Sequence, residues 1–357
     1  AGAGNVPNRM NYELLASLAL KPPVDDREAE NALKKARREF EEERAKLRGM
    51  GVRIERFENG KEGDVAEAFN RLAIALPLAF PVTPELLEER ITSKPSFDPE
   101  ALLIAYRGGS PVGYIHGGLT PQGEGFIDMF LFDRGHPEIG RALLEEIIGF
   151  FRAKGVGKVR ALGSSYGCPF YRGLVAGIEP MGCEEMDHLF GLLRGFGFEI
   201  SRRARLCLRD LRDEIGAIDP PPGVELTVEA AEFEDEWERL SWKGLNPFEV
   251  RAYVNGRLIG RCRFALIAGA ERFYGRKYAG ICLPRLEEGY RNGEVALAMI
   301  VRALERLKGE GARWVCLAAP ADDPGALEVL KRAGFMTGGN ATWPLAELEI
   351  TLAPFRI

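Results

Sequence analysis

The chain has 357 residues, of which 46% are hydrophobic and 28% are charged, and its formal net charge is −5. That length exceeds what one ordinary hydrophobic core holds, so two domains are expected, and the composition is that of a globular rather than a disordered protein. The acidic balance lacks the surplus of Lys and Arg that marks nucleic-acid-binding proteins, and no run of about 18 apolar residues is present that could span a membrane.

Cysteine and histidine usage indicates a cytoplasmic protein without a metal site. None of the six cysteines forms a CxxC pair, and most lie in apolar runs such as Leu206-Cys207-Leu208. Such cysteines are typically small buried hydrophobes in a reducing compartment. The three histidines are scattered and have no cluster of Cys or carboxylates near them in sequence, so no metal is expected. The N-terminus lacks the basic and apolar regions of a secretory signal.

The first half of the chain is predicted to alternate strands and helices after an N-terminal helical extension, residues 1–51. Charged residues and regularly spaced apolar ones predict an amphipathic helix over 25–48, ended by Gly49. Periodicity then predicts a strand Val52–Phe57, helices Asp64–Phe80 and Pro84–Ser93, and a hairpin of Ala101–Arg107 and Val112–Leu119. A strand Phe126–Phe132, a helix over 139–150 and a strand Val159–Leu162 are expected next. A Gly- and Pro-rich excursion over 163–185 follows, and then a short helix Met186–Gly195 before Gly197-Phe198.

The same order recurs after a Pro-rich linker, residues 218–223. The predicted elements are a strand Glu225–Ala231, a helix Phe233–Leu245, a hairpin of Phe248–Val254 and Leu258–Ile267 around Asn255-Gly256, a strand Tyr278–Leu283, a helix over 295–307, a strand Trp314–Ala318 and a helix Gly325–Ala333 before Gly334-Phe335. An internal repeat of this size predicts two domains of one design, residues 52–217 and 224–357.

Two segments carry a resemblance to a known superfamily. The second half contains "YRNGEVALAMIVRALERLKGEGARWVCLAAPADDPGALEVLKRAGF", and the first contains "RGHPEIGRALLEEIIGFFRAKGVGKVRALG" followed by "HLFGLLRGFGF". With the order of elements, they resemble the GNAT superfamily of acetyl-CoA-dependent N-acetyltransferases, over about residues 52–210 and 224–350. Tandem members occur there, mycothiol synthase-like enzymes among them. The resemblance implies an α/β fold with a mixed sheet, two GNAT-like acyl-CoA N-acyltransferase domains in tandem, acetyl-CoA as acyl donor, and a small-molecule or peptide amine as acceptor.

The resemblance also implies where the coenzyme binds. The start of a helix exposes unpaired N–H groups and a partial positive charge, which suit a pyrophosphate, and an arginine adds charge-assisted contacts. The pantetheine is expected to lie along the preceding strand. The coenzyme residues predicted on this basis are Phe130, Leu131, Phe132, Gly135, Ile139, Gly140 and Arg141 in the first half, and Ile281, Cys282, Leu283, Arg291, Asn292, Gly293, Val295 and Ala296 in the second.

Both phosphate loops depart from the superfamily pattern Arg/Gln-x-x-Gly-x-Gly/Ala, because Glu138 and Glu294 replace the central glycine. Two unit charges about 4 Å apart repel by about 4 kcal/mol at an effective dielectric of about 20. A glutamate that faces the phosphates is therefore expected to weaken coenzyme binding, whereas one that turns to solvent is a favourable partner of the helix dipole.

The superfamily's reaction needs a base that deprotonates the amine, and commonly a tyrosine on the last helix that protonates the leaving thiolate. Leu193 and Leu330 stand at the tyrosine's position in the two halves. A thiolate whose conjugate thiol has a pKa of about 8.5 can leave with little help, so the loss is not fatal.

The first half offers substitutes, which favours it slightly as the catalytic half. Tyr166 and Tyr171 lie in the long excursion and are candidate acids, since long structured loops often carry function. Glu124 and Asp128 flank the central strand and are candidate bases. Alternation places Asp128 on one face with Phe126 and Phe130, where burial would raise its carboxyl pKa.

Two other classes of function stay open. One is a CoA-binding or regulatory protein whose GNAT-like domains are degenerate, which the altered loops and both missing tyrosines favour. The other is a doubly wound nucleotide-binding protein. It fits poorly, because it needs a Gly-x-Gly-x-x-Gly turn directly after the first strand, whereas hairpins precede the main helix of each half here.

Overall fold

The structure, a computed structural model, describes residues 49–352 except 74–75, 166, 168–169, 292 and 339–341, together with residues 38, 42, 45 and 47. Apart from those four positions, the helix predicted over 25–48 lies outside the described residues. Strands and helices alternate along the described chain much as periodicity predicts. The strands are β1 (Val52–Arg56), β2 (Leu102–Arg107), β3 (Ser110–Leu119), β4 (Gly125–Phe132), β5 (Lys158–Ala161), β6 (Gly182–Cys183), β7 (Glu199–Asp210), β8 (Val224–Ala230), β9 (Phe248–Val254), β10 (Arg257–Leu266), β11 (Tyr278–Ile281), β12 (Arg285–Leu286), β13 (Trp314–Pro320) and β14 (Thr342–Thr351).

The helices differ more from the predicted bounds than the strands do. Phe233–Leu245 was expected to be helical throughout, but only its middle is, and the helix expected over Asp64–Phe80 ends early. The helices are α1 (Glu62–Leu72), α2 (Pro84–Leu87, continued by a π-helical turn Glu88–Thr92), α3 (Pro137–Ala153), α4 (Asp187–Gly195), α5 (Glu236–Ser241), α6 (Ala270–Tyr274), α7 (Gly293–Gly309) and α8 (Pro324–Arg332).

One sheet runs through both halves, in the order β1-β2-β3-β4-β5-β14-β7-β13-β11-β10-β9-β8. Read from its two ends, the order is the same: the outer five strands at each end come from one half, and the fourth and fifth of them pair in parallel. The mixed α/β sheet predicted from the sequence, with one order of strands repeated in the two halves, is therefore confirmed.

The middle of the sheet exchanges strands between the halves. β7 is the last strand of the first half, yet it pairs with β13 of the second, from Trp314↔Asp210 to Pro320↔Ala204. β14, the last strand of the second half, pairs with β5 of the first. β7 and β14 also pair with each other. Each half thus completes the other's sheet, a connection that the sequence repeat did not reveal.

The hydrophobic core is likewise shared. One continuous cluster of buried side chains joins first-half residues such as Phe130 and Leu193 to Trp242, Cys316 and Leu345 of the second half. A second cluster lies in the second half beneath α7, around Met299, and includes Cys207 of β7. Among the described residues, no helix is both long and apolar enough to cross a membrane.

Candidate functional site

In both halves the fourth strand carries a bulge where it parts from the fifth. In the first half, Gly117 and His116 face Ile127 and Met129, so Asp128 is an extra residue on β4. In the second half, the pairs Phe264↔Ile281 and Arg261↔Arg285 leave one extra residue beyond β11. Bulges bend a strand and re-aim its side chains, and they are frequent beside active sites. The two bulges mark equivalent clefts between the fourth and fifth strands.

The loop that leads from the second-half cleft to α7 is open to solvent. Ile281 ends β11 as a buried residue, and the next two residues, Cys282 and Leu283, are half-buried. Arg291 is exposed, and its Nε donates weakly to Leu286 O, at 3.4 Å. Among the described residues, no carboxylate lies within 4 Å of its guanidinium. Of the other predicted coenzyme residues here, Gly293 is exposed at the start of α7, Val295 is buried, Ala296 is half-buried, and Asn292 lies outside the described residues.

Glu294 does not present an isolated charge to this loop. Both oxygens of its carboxylate accept hydrogen bonds from the Arg332 guanidinium near the end of α8, at 2.6 and 3.0 Å. This contact lowers the pKa of the Glu294 carboxyl. The pair is exposed, so it adds little stability. It nevertheless holds the Glu294 carboxylate beside the Arg332 guanidinium. The positive charge of the arginine offsets the repulsion between Glu294 and a phosphate that the sequence alone predicts.

In the equivalent loop of the first half, polar groups already have partners within the protein. The Asp133 carboxylate accepts the Gly135 N–H at 2.8 Å, and Pro137 at the helix start has no N–H to offer. Arg134 pairs with Asp187 at 2.9 Å. A Cβ at Gly140 would overlap the Phe132 ring, so this glycine serves strand–helix packing. Of the remaining coenzyme candidates, Phe130, Leu131 and Ile139 are buried and Arg141 is half-buried.

The first-half cleft itself is filled by the excursion that follows β5. Gly182 N donates to Leu162 O at 2.7 Å, next to the bond from Leu162 N to Ile127 O. The cavity that remains, lined by Asp128, Met129, Phe130, Leu131 and Met181 among others, is about 20 Å³. That volume holds about one water, whereas small-ligand sites occupy about 300 Å³ or more. A pantetheine arm does not fit this cleft as it stands.

The candidate acid Tyr171 is a core residue. It is 1% exposed, its hydroxyl lies 3.2 Å from His116 Nδ1, and its ring stacks on Phe69. His116 is fully buried, and burial lowers its pKa to about 3, so the imidazole is neutral at physiological pH. The other candidate acid, Tyr166, lies outside the described residues.

The two candidate bases of the first half differ in surroundings. Glu124 is at the surface and pairs with Arg160 at 3.1 Å. Asp128 is buried, with 6% of its surface exposed. The bulge at Asp128 interrupts the alternation of side chains along β4. The expectation that residues 126, 128 and 130 share one face of the sheet therefore does not hold. Leu193 and Leu330, at the position of the family's tyrosine, are both fully buried.

The excursion after β5 also crosses into the second half. A Cβ at Gly177 would overlap Cys316 Sγ on β13, and a Cβ at Gly280 on β11 would lie 2.6 Å from Ile178. These contacts fall on Gly280↔Cys316, the last pair before β11 and β13 separate. The next residue, Glu179, lies beside the Cys282 thiol. The sequence analysis did not single out Glu179, because nothing along the chain shows that this loop packs on the other half.

Comparisons with known proteins bear on the fold. No model of a protein family matches the chain, and no curated protein matches it in sequence. Solved structures do match. A tandem GNAT protein from the clavulanic acid biosynthesis pathway, solved without acetyl-CoA, is 18% identical with a TM-score of 0.60 and covers 85% of this chain and 99% of its own. A GCN5-related N-acetyltransferase from Sphaerobacter thermophilus is 12% identical with a TM-score of 0.62, covering 85% and 96%.

A third match is Saccharomyces cerevisiae N-myristoyltransferase with bound myristoyl-CoA, 10% identical with a TM-score of 0.54, covering 85% of this chain and 79% of its own. At such low identity the likeness concerns the fold. The match to a tandem protein over nearly its whole length agrees with the two equivalent runs of strands seen here. The chain therefore has the fold of tandem GCN5-related N-acetyltransferases.

Proposed function

We propose that the protein is an N-acyltransferase that moves an acetyl or similar acyl group from acetyl-CoA to an amine of a small molecule or peptide, and that its second half holds the coenzyme. The observation that carries this proposal is the exposed loop before α7. There Arg291 faces no carboxylate within 4 Å among the described residues, and Glu294 is paired with Arg332. A helix start with an available guanidinium suits a pyrophosphate.

The contrast with the first half supports the choice of the second. In the first half, Asp133 already accepts the loop's N–H group and the strand cleft is filled. A pyrophosphate there would have to displace the Asp133 carboxylate from this N–H group and would be repelled by its negative charge. Among the described residues of the second-half loop, no carboxylate accepts a backbone N–H group, and Glu287 is paired with Arg257, so this loop fits the coenzyme better. The first-half coenzyme residues stay a prediction, which the experiment below also tests.

The reaction requires few catalytic groups from the protein. The amine nitrogen attacks the thioester carbon, the C–N bond forms, and the C–S bond breaks. The protein must orient the two substrates, exclude water and accept a proton from the amine. Because Leu330 replaces the family's tyrosine, the thiolate of CoA leaves without an acid on the last helix. Its conjugate thiol has an ordinary pKa of about 8.5, which makes this feasible.

Arg291→Ala tests the coenzyme site. A charge-assisted hydrogen bond is worth about 1.5–3 kcal/mol, so the Kd for CoA should rise at least about tenfold. Arg134→Ala is the matched control, since Arg134 holds the equivalent region of the first half but pairs with Asp187. Isothermal titration of the full chain with CoA and acetyl-CoA measures both. Loss of affinity in Arg134→Ala with Arg291→Ala unaffected would move the coenzyme to the first half.

A non-catalytic CoA-binding protein is the second candidate function. The burial of a leucine at the acid position in both halves favours it. Thiol release from acetyl-CoA in the presence of a panel of primary amines separates the two candidates. Turnover above the rate without amine supports the transferase, whereas tight coenzyme binding with no thiol release supports the binding protein.

A further inference from the structure

We propose that Glu179, which belongs to the first half, is the proton acceptor for acyl transfer in the second half. This inference rests on the proposed function. Residues 172–179, called here the crossing segment, follow β5 and pack between the two halves. Ala176 N donates to Pro77 O of the first half, at 2.8 Å, and both ends of the segment contact the second half.

The crossing segment is anchored to the second half at several points. The Arg172 guanidinium stacks 4.4 Å above the Trp242 ring and donates a hydrogen bond to Ile178 O. A Cβ at Gly173 would touch Leu245 at 3.0 Å. Further along, Gly177 and Ile178 rest on β13 and β11. The segment is therefore held at both ends, and the position of Glu179 is determined by these contacts.

Glu179 is placed where the two parallel strands separate. The residue before it lies over Gly280, the last β11 residue paired with β13, and its own carboxyl lies beside the thiol of Cys282, just past the end of β11. In a fold of this kind, this is the cleft along which the pantetheine and thioester are expected to lie. The carboxyl is thus beside the point where an amine would meet the acyl group.

The surroundings of Glu179 make it suitable as a base. Burial raises the pKa of its carboxyl, partly opposed by the charges of Arg172, Arg202 and Arg285. The other titratable groups that face it are the thiols of Cys262, Cys282 and Cys316, whose pKa values burial raises far above neutrality. These thiols therefore stay neutral near pH 7. Of the described groups around the cleft, Glu179 is the one suited to take up a proton near neutral pH.

The reaction releases one proton to solvent and leaves one on the sulfur of CoA. An acceptor that arrives as an ammonium gives one proton to the Glu179 carboxylate, which passes it to solvent. The freed amine attacks the thioester carbon, the C–N bond forms and the C–S bond breaks. The remaining excess proton on nitrogen ends on the departing sulfur, so the products are the amide and the CoA thiol. No oxidant, reductant or metal is needed.

Glu179→Gln in the full chain tests the assignment. Thiol release from acetyl-CoA is followed against pH, with the most active amine of the panel. Because general base catalysis contributes about a hundredfold or more, kcat should fall by about that factor and the acid limb of the pH profile should disappear. The Kd for CoA should change less than about twofold. Glu179→Asp should recover part of kcat together with the acid limb.

Glu184→Gln is the matched control, since Glu184 follows on the same excursion but pairs at the surface with Arg203, at 3.2 Å. It should behave as the unmodified protein. Unchanged kcat and pH profile in Glu179→Gln, with Arg291→Ala defective in CoA binding, would overturn the role of Glu179 alone. A lower kcat with the acid limb intact would also overturn it, as it indicates a structural role. Absence of thiol release with every amine would overturn both proposals.

Discussion

His116 is an ionisable residue placed where it cannot ionise. It lies on β3 with none of its surface exposed, its Nδ1 is 3.2 Å from the Tyr171 hydroxyl, and the Phe170 ring centroid is 4.6 Å from its own. Burial, helped by the charge of Lys94, lowers its pKa to about 3. The His116–Tyr171 contact therefore contributes to the stability of the first half's core and takes no part in the chemistry proposed here.

The depressed pKa of His116 makes stability depend on pH. Below about pH 6.5 this histidine is protonated in the unfolded chain but not in the folded chain. The free energy of unfolding therefore decreases as the pH is lowered from about 6.5 toward 3. Between pH 7.5 and 5.5 the unmodified protein should lose about 1.4 kcal/mol more than His116→Gln. Urea denaturation at the two pH values measures this. Equal losses in the unmodified protein and in His116→Gln would contradict the prediction.

Glu294 shows what sequence reasoning cannot reach at the level of one residue. Its position in the phosphate loop follows from the motif, and repulsion of a phosphate follows from its charge. Its partner Arg332 is 38 residues further along the chain, at the end of another helix. Pairing over such a distance depends on how two helices pack, which periodicity does not specify. The motif thus located the loop, whereas the charge that the loop presents could be read only from the structure.

At the scale of elements, hydrophobic patterning identified the hairpins, the central strands and α3 and α7. The two helices bury one regular face, whereas β4 is buried at every position. The patterning missed β14 (Thr342–Thr351) and β7, whose sequence Glu199–Asp210 carries four arginines. Arginine stems can cover apolar surface while the guanidinium stays in water, so a charged stretch can still form a central strand. It also could not show that the excursion after β5 packs on the other half, since its glycines and aromatics have no period.

The crossing segment depends on a glycine at its closest approach to the second half. Gly177 has φ +81°, and a Cβ there would overlap Cys316 Sγ. Gly177→Ala should cost about 1 kcal/mol or more and lower kcat by displacing Glu179, because it adds both strain and a clash. Gly149→Ala is the control: Gly149 is an exposed residue of α3 with nothing within 4 Å of a new Cβ, and it should gain about 0.5–1 kcal/mol. Thermal unfolding and thiol release measure both. Full turnover in Gly177→Ala would show that the segment's position is not needed.

At the scale of the whole molecule, the exchange of β7 and β14 makes the two halves one structural unit. The sequence repeat suggests two independent domains, each with its own sheet. In the structure, the fifth strand of each half pairs with a strand from the other half. A coenzyme site in the second half that takes its base from the first half is consistent with this shared construction, since neither half is complete without the other.

This arrangement predicts how the protein unfolds. Separated after residue 217, the first half would lack β14 beside β5, and the second half would lack β7 beside β13. Each fragment would then expose an unpaired strand edge and part of the shared core, which favours aggregation. We expect the full chain to unfold in one cooperative transition, and fragments 1–217 and 218–357 to be insoluble or unfolded when produced alone. When they are produced together, they should form a one-to-one complex with the circular dichroism of the intact protein. Calorimetry of the full chain and size-exclusion chromatography of the fragments test this. Two separate transitions, or one fragment that folds cooperatively by itself, would show that the exchanged strands do not couple the halves.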